Sequence, residues 1–187
     1  RRQETLAALQ RTGRHVARLL DDLLLLAQAE AGWHLSPLEP VVLDDVLMEA
    51  YEAARLAAGS GTLRVARCEP ACVRGDSDRL RQVFANLIDN AVKHSPPGGV
   101  VSLSVWREEG WLKGSVKDCG PGIPPEALPH IFEPFFRVPS GERLLGVGLG
   151  LAIVHWIVHE HGGEVTVESA AGRGTIVSIT LPEYASP

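Results

Sequence analysis

Four short blocks concentrate the residues able to hold charged ligands: Asn86-Leu87-Ile88-Asp89-Asn90-Ala91-Val92-Lys93-His94, Asp118-Cys119-Gly120-Pro121-Gly122-Ile123-Pro124, Gly146-Val147-Gly148-Leu149-Gly150 and Gly172-Arg173-Gly174-Thr175. In the first, Asn86 and Asn90 are four apart and share one face of a helix, with Lys93 one turn further. Amide oxygens are hard ligands of the kind Mg²⁺ accepts beside water and phosphates, and an ammonium answers phosphate charge directly. The same residues also suit a helix C-terminal turn, where Lys93 complements the dipole. In the second block the Asp118 carboxylate emerges at a strand end among glycines that permit close ligand approach, although a plain turn uses the same residues. A carboxylate there accepts from an exocyclic amine and repels a carbonyl oxygen, which favours adenine over guanine. The glycines at 146, 148 and 150 open a helix whose free N–H groups can cradle phosphate.

Other chemistries fit less well. There is no G-x-x-x-x-G-K loop, and no strand leads directly into Gly146, so neither a P-loop nor a dinucleotide fingerprint is present. His155 and His159 are one turn apart, with His161 nearby, but without H-E-x-x-H they read as a half-exposed helix face. Cys68, Cys72 and Cys119 form no framework and suit a reducing compartment; Cys68 and Cys72 lack a second zinc-ligand pair and read as buried or half-buried thiols. Trp33, Trp106, Trp111 and Trp156 read as packing residues.

The 187 residues, 45% hydrophobic and 22% charged, describe an ordinary folded chain of one full domain plus an appendage. A net charge of −5 leaves no broad basic surface for nucleic acid. The apolar run at residues 23–27 is too short to cross a bilayer, and Arg1-Arg2-Gln3-Glu4 opens no secretory signal.

The elements that must position these blocks are readable in outline. Leu6, Leu9, Gly13, Val16, Leu20, Leu23 and Ala27 recur in steps of three and four over residues 5–30. That is a heptad seam, which Leu19, Leu24 and Leu26 widen beyond one partner helix, so a bundle between chains is expected over a single amphipathic helix. Gly32, Pro37 and Pro40 mark a connection. Helices are predicted over residues 43–58, from Asp76-Ser77-Asp78 to Ser95, and over 149–161. Strands are predicted over 62–68, 101–105, 112–116, 164–168 and 175–181. This is a two-layer α/β sandwich of the α+β class, with helices covering one face of a mixed sheet.

Taken together, the blocks resemble the catalytic, ATP-binding domain of bacterial sensor histidine kinases, in the superfamily that also holds gyrase-type, Hsp90-type and MutL-type ATPases. Residues 86–94 look like the N box, 118–123 the first glycine box, Ile131-Phe132-Glu133-Pro134-Phe135-Phe136-Arg137 the F box, 146–150 the second glycine box and 172–175 a further one. The resemblance implies ATP and Mg²⁺ as cofactors. Asn90 would hold the metal, Asn86 and Lys93 would serve the metal or phosphate end, and Asp118 would take the adenine amine. His94, where the family often has Tyr, would pack on the base. Gly120, Gly122, Ile123, Phe132, Gly146, Gly148, Leu149, Gly150 and Thr175 would line the ATP site, with a lid at about 133–147 and Arg137 and Arg143 as phosphate contacts.

By the same resemblance, residues 1–32 are the second helix of the dimerisation and phosphotransfer hairpin, 33–42 a linker and 43–187 the catalytic domain. None of the seven His residues has the context of a phosphoacceptor, and His15 reads as a bundle residue. The expected function is transfer of the ATP γ-phosphoryl to a histidine on a helix missing from this chain, then relay to a response-regulator receiver aspartate. Expected partners are a second copy through the N-terminal helix and that receiver domain, without nucleic acid. The expected location is cytoplasmic, in a parent anchored in the bacterial inner membrane through upstream segments. Two alternatives are an ATPase conformational switch and a nucleotide-free dimerisation scaffold. The hydrolysing branches carry Glu where this chain has Asn86, and a neutral amide is no general base.

Overall fold

A computed structural model describes residues 2–35, 38–58, 63–138 and 146–184, and the chain divides into two compact units, residues 1–34 and 35–187. The first is one helix, α1 (Arg2–Glu30), on which Val16, Leu20, Leu23 and Leu24 are exposed. Among the described residues no helix is long and apolar enough to cross a membrane.

The second unit is built on a five-stranded mixed sheet in the order β2 (Leu63–Cys68), β4 (Val101–Glu108), β5 (Trp111–Lys117), β7 (Thr175–Pro182) and β6 (Glu164–Ser169). β2 and β4 run parallel and the other pairs antiparallel. Strict alternation decides which face is covered: Val101, Leu103 and Val105 of β4 are buried while Ser102 and Ser104 point the other way. The helices α2 (Leu43–Ala58), α3 (Ser77–His94) and α4 (Gly150–Glu160) supply the cover, α3 packing between the other two. This is the two-layer sandwich expected from the sequence.

α3 docks through Leu80, Val83, Phe84, Leu87, Ile88 and Ala91, all buried. Its central contact has a sequence cause at Gly114 of β5. A Cβ there would lie 3.1 Å from Phe84 Cζ and 3.0 Å from Ile179, so glycine lets the Phe84 ring settle onto the sheet.

A second sheet was not expected. Glu39–Val42, inside the predicted linker, forms β1 and pairs antiparallel with β3 (Cys72–Gly75). Pro40 interrupts the pattern of so short a strand, and its place in a two-stranded ribbon is compatible with its missing N–H. Of the thiols, Cys72 is half-buried as expected, whereas Cys68 and Cys119 are exposed. Trp33 and Trp111 are exposed as well, not packed inside.

His161, just past α4, is the buried polar residue that ties the helices together. Its Nε2 accepts from the Asp76 N–H at 3.0 Å and its Nδ1 donates to the Ile157 carbonyl at 2.7 Å. These partners require the neutral ring, since the imidazolium has no acceptor for Asp76. Asp76 in turn caps α3, its carboxylate accepting from Arg79 N–H at 3.0 Å. Burial holds the His161 pKa below the usual histidine value, opposed by the Ile157 hydrogen bond and by Asp76 and Glu160.

Because the unfolded chain then binds the proton more readily than the folded one, stability from His161 is present above about pH 6.5 and falls as pH drops below it. Urea titrations of the wild type and His161→Gln are expected to differ by about 1–3 kcal/mol at pH 7.5. That difference should shrink by pH 5.5; a gap independent of pH would contradict the neutral-ring assignment.

Candidate functional site

α3 carries the first block because its apolar stripe turns inward and leaves Asn86 and Asn90 half-buried at the stripe's edge. They face the start of α4. Asn86 Nδ2 lies 3.4 Å from the Gly150 carbonyl, and a Cβ on Gly150 would stand 3.6 Å from Asn90 Nδ2 and 3.8 Å from Asn86 Cγ. The two asparagines and the second glycine box, sixty residues apart in sequence, therefore form one wall. Lys93, exposed one turn on, is paired with Asp89, an open i, i+4 pair of the kind worth only a few tenths of a kcal/mol. His94 is exposed, and its carbonyl would stand 2.7 Å from a Cβ at Gly120, so the helix end and the first glycine box meet.

Asp118 is the buried acid of the site. Its main-chain N–H donates to Thr175 O at 2.9 Å, Thr175 N–H donates back to Asp118 Oδ1 at 3.1 Å, and Gly120 N–H donates to the same oxygen at 2.7 Å. Among the described residues no donor is recorded on Oδ2. Two donors on one oxygen fix the carboxylate plane and leave the other oxygen to accept from a ligand.

The loops around Asp118 are held by approaches only glycine allows. Gly174 adopts φ +81°, and a Cβ there would fall 2.2 Å from Asp118 O; Gly122 has φ +76° and a Cβ would fall 2.2 Å from Ala170 O. Pro121 O accepts from Gly172 N–H at 2.7 Å. Ser169, which the motifs did not single out, sits at the centre. Its Oγ accepts from Ile123 N–H at 2.8 Å, lies 3.1 Å from Gly174 O and is 3.0 Å from Thr175 Oγ1. A serine at the end of a strand just before a glycine turn was the only available sign.

The F box and second glycine box also meet. Phe135, at φ +67°, donates its N–H to Gly148 O at 2.8 Å, and Gly148, at φ +80°, leaves no room for a Cβ, 2.7 Å from Phe136 O. Phe132 lies against His155, ring centroids 5.2 Å apart. His155 and His159 have no third ligand: among the described residues no group of three His, Cys, Asp or Glu could hold a metal. Leu149 is buried, Gly146 is exposed, and no side chain caps the start of α4. Its first N–H groups therefore keep their hydrogen-bonding capacity at the wall formed with Asn86 and Asn90. Arg137 is exposed but engaged, and Arg143 lies outside the described residues, as do residues 139–145 of the expected lid.

Residues 75–185, more than half of the chain, match the family described as histidine kinase-, DNA gyrase B- and HSP90-like ATPases. The chain belongs to that family. Among curated relatives, the sensor protein DivL of Caulobacter vibrioides is 38% identical over 97% of this chain and 23% of its own length. The sensor histidine kinase TrcS of Mycobacterium tuberculosis is 38% identical over 95% of this chain and 36% of its own. The chain thus spans less than half of either relative. The solved mycobacterial sensor histidine kinase MprB superposes with a TM-score of 0.72 at 36% identity, covering 80% of this chain and all of that one. Full-length ShkA in complex with AMPPNP gives 0.76 at 30% identity, over 98% of this chain and 39% of that one. Within the family the chain carries a histidine kinase catalytic, ATP-binding domain, and the mixed sheet under three helices is that domain's fold.

In this kinase domain the Gly174 contact is expected to fix Asp118. Gly172 has a positive φ but open space around it, so Gly172→Ala should cost only the left-handed backbone penalty of about 1–2 kcal/mol. Gly174→Ala should cost more in urea titrations and shift the Asp118 amide resonance. Equal losses would mean that the contact does not set the aspartate.

Proposed function

We propose that the chain binds Mg-ATP between α3, α4 and the Asp118 loop, and presents the γ-phosphoryl to a histidine on a dimerisation-domain helix for relay to a response-regulator receiver aspartate. The observation that carries this reading is the convergence of the Asn86–Asn90 pair, the uncapped start of α4 and a carboxylate fixed through one oxygen. The donor set fits the ligand: amide oxygens for a hard cation, main-chain N–H groups for phosphate and a free carboxylate oxygen for an amine.

In this reading Asp118 accepts from the adenine amine, while Gly120, Gly122, Ile123 and Thr175 shape its loop and His94 and Phe132 border the base. Asn90 holds the cation with Asn86 beside it. Bound Mg²⁺ supplies charge neutralisation across the phosphate oxygens. Gly146, Gly148, Leu149 and Gly150 set the main chain at the phosphates, Lys93 exchanges its surface pair with Asp89 for the phosphate charge, and Arg137 from the F box meets the same charge. These are positioning and electrostatic tasks, which suffice for phosphoryl transfer. Asn86 cannot take a proton from water, which weighs against hydrolysis.

We read residues 1–32 as the second helix of a dimerisation hairpin, 33–42 as the connection and 43–187 as the catalytic domain. The exposed Val16, Leu20, Leu23 and Leu24 are then the stripe that pairs with a second copy. The domain works at the cytoplasmic side of a parent anchored in the bacterial inner membrane.

Calorimetry is expected to show saturable Mg-ATP binding, preferred over Mg-GTP, without sustained heat of turnover. Asp118→Asn should weaken it by roughly 10- to 100-fold, the range of a hydrogen bond to a charged group, and Asn90→Ala should remove its dependence on Mg²⁺. With a separately supplied acceptor hairpin the chain should form phosphohistidine. Sustained heat without phosphohistidine would favour the ATPase switch, and no binding the scaffold.

A further inference from the structure

The sheet face without helices carries charged and hydroxyl side chains that the nucleotide site does not use. Cross-strand register sets Arg64 of β2, Ser102 of β4 and Lys117 of β5 in one row, followed by Ile176 of β7. The next row, past a bulge in β2, holds Arg67, which is paired with Glu69, then Ser104, Ser115, Ser178 and Thr166. With strands about 4.8 Å apart, Arg64 and Lys117 straddle Ser102 at about 10 Å between their Cα atoms. Short serines between long cations make an open trough of about 480 Å³, bounded at one end by Val100.

Its two cations differ from six others that are ion-paired. Arg55, Arg67, Arg81, Lys93, Arg107 and Lys113 each sit against a carboxylate. In a chain of net charge −5, neither Arg64 nor Lys117 has such a partner among the described residues, and no acid lines the trough. Glu168, the acid in the same row, stands two strands from Lys117 beyond Ile176 and does not line the trough.

Two cations over hydroxyl donors without a counter-charge match a phosphate better than a carboxylate. One guanidinium fork satisfies a carboxylate's two oxygens. A phosphomonoester has three terminal oxygens and nearly two charges at neutral pH, enough for a guanidinium, an ammonium and the hydroxyls together. We propose that this trough binds the phosphomonoester group of a small phosphorylated ligand, on the sheet face opposite the nucleotide site.

The test is an amide NMR titration of the whole chain with glycerol 3-phosphate, at constant ionic strength and with saturating Mg²⁺ and a non-hydrolysable ATP analogue to occupy the nucleotide site. Saturable shifts are expected at Ser102, Ser104, Ser115 and Lys117, reproduced by inorganic phosphate. Arg64→Gln and Lys117→Gln should each weaken them by about tenfold or more. Both side chains are exposed, and unchanged spectra elsewhere report that the variants fold. Absent shifts, equal shifts with acetate, or full affinity in both variants would overturn the proposal. So would saturation by an acidic peptide but not by glycerol 3-phosphate. Shifts from the ATP analogue at Asn90 and Asp118 are read separately, so failure at one face is distinguished from failure at the other.

Discussion

The candidate site hangs on the reciprocal hydrogen bonds between Asp118 and Thr175, where β5 ends and β7 begins. Asp118 gives its N–H to Thr175 O and receives the Thr175 N–H on its side chain. A carboxylate so buried is tolerable only when its lone pairs are met, and these donors meet one oxygen while leaving the other for a ligand. Gly174 permits the approach, because any side chain there would strike the Asp118 carbonyl. The link between Ile123, Ser169, Gly174 and Thr175 then carries the constraint outward to the rest of the glycine loop.

The other wall depends on how α3 sits. Phe84 over Gly114 fixes its depth, and the His161 bridge to Asp76 fixes its beginning against the end of α4. Both are short-range devices with consequences at the far end of the helix, where Asn86 and Asn90 meet Gly150. A helix held at one end by a cap and in its middle by an aromatic ring has little freedom to rotate, which keeps the two amides in place.

The sheet serves two environments with one set of strands. Alternation sends Val101, Leu103 and Val105 under the helices and Ser102 and Ser104 outward, so the residues of one hairpin both seat the helices and shape the opposite surface. Lys117 and Asp118 are adjacent in sequence yet belong to different surfaces, one on the open face and one buried beside Thr175.

The elements with strong periodicity were legible in the sequence: α3 from its cap and inward stripe, β4 and β5 from their alternation, and the family from four blocks in order. These are local properties, written in spacings of two, three and four. The pairing of β1 with β3 was hidden because strands of four residues carry too little pattern, one of them interrupted by Pro40. Ser169 and His161 were hidden for another reason. A serine or histidine acquires its role from partners far along the chain, Ile123 and Asp76, which nothing in its own neighbourhood announces. The sequence by itself determined which residues could bind an amine, a cation and phosphates. Tertiary structure alone decided which oxygen of Asp118 is left free, that Gly150 closes on Asn86 and Asn90, and that Arg64 and Lys117 flank one trough, because each depends on distances between segments that only packing brings together.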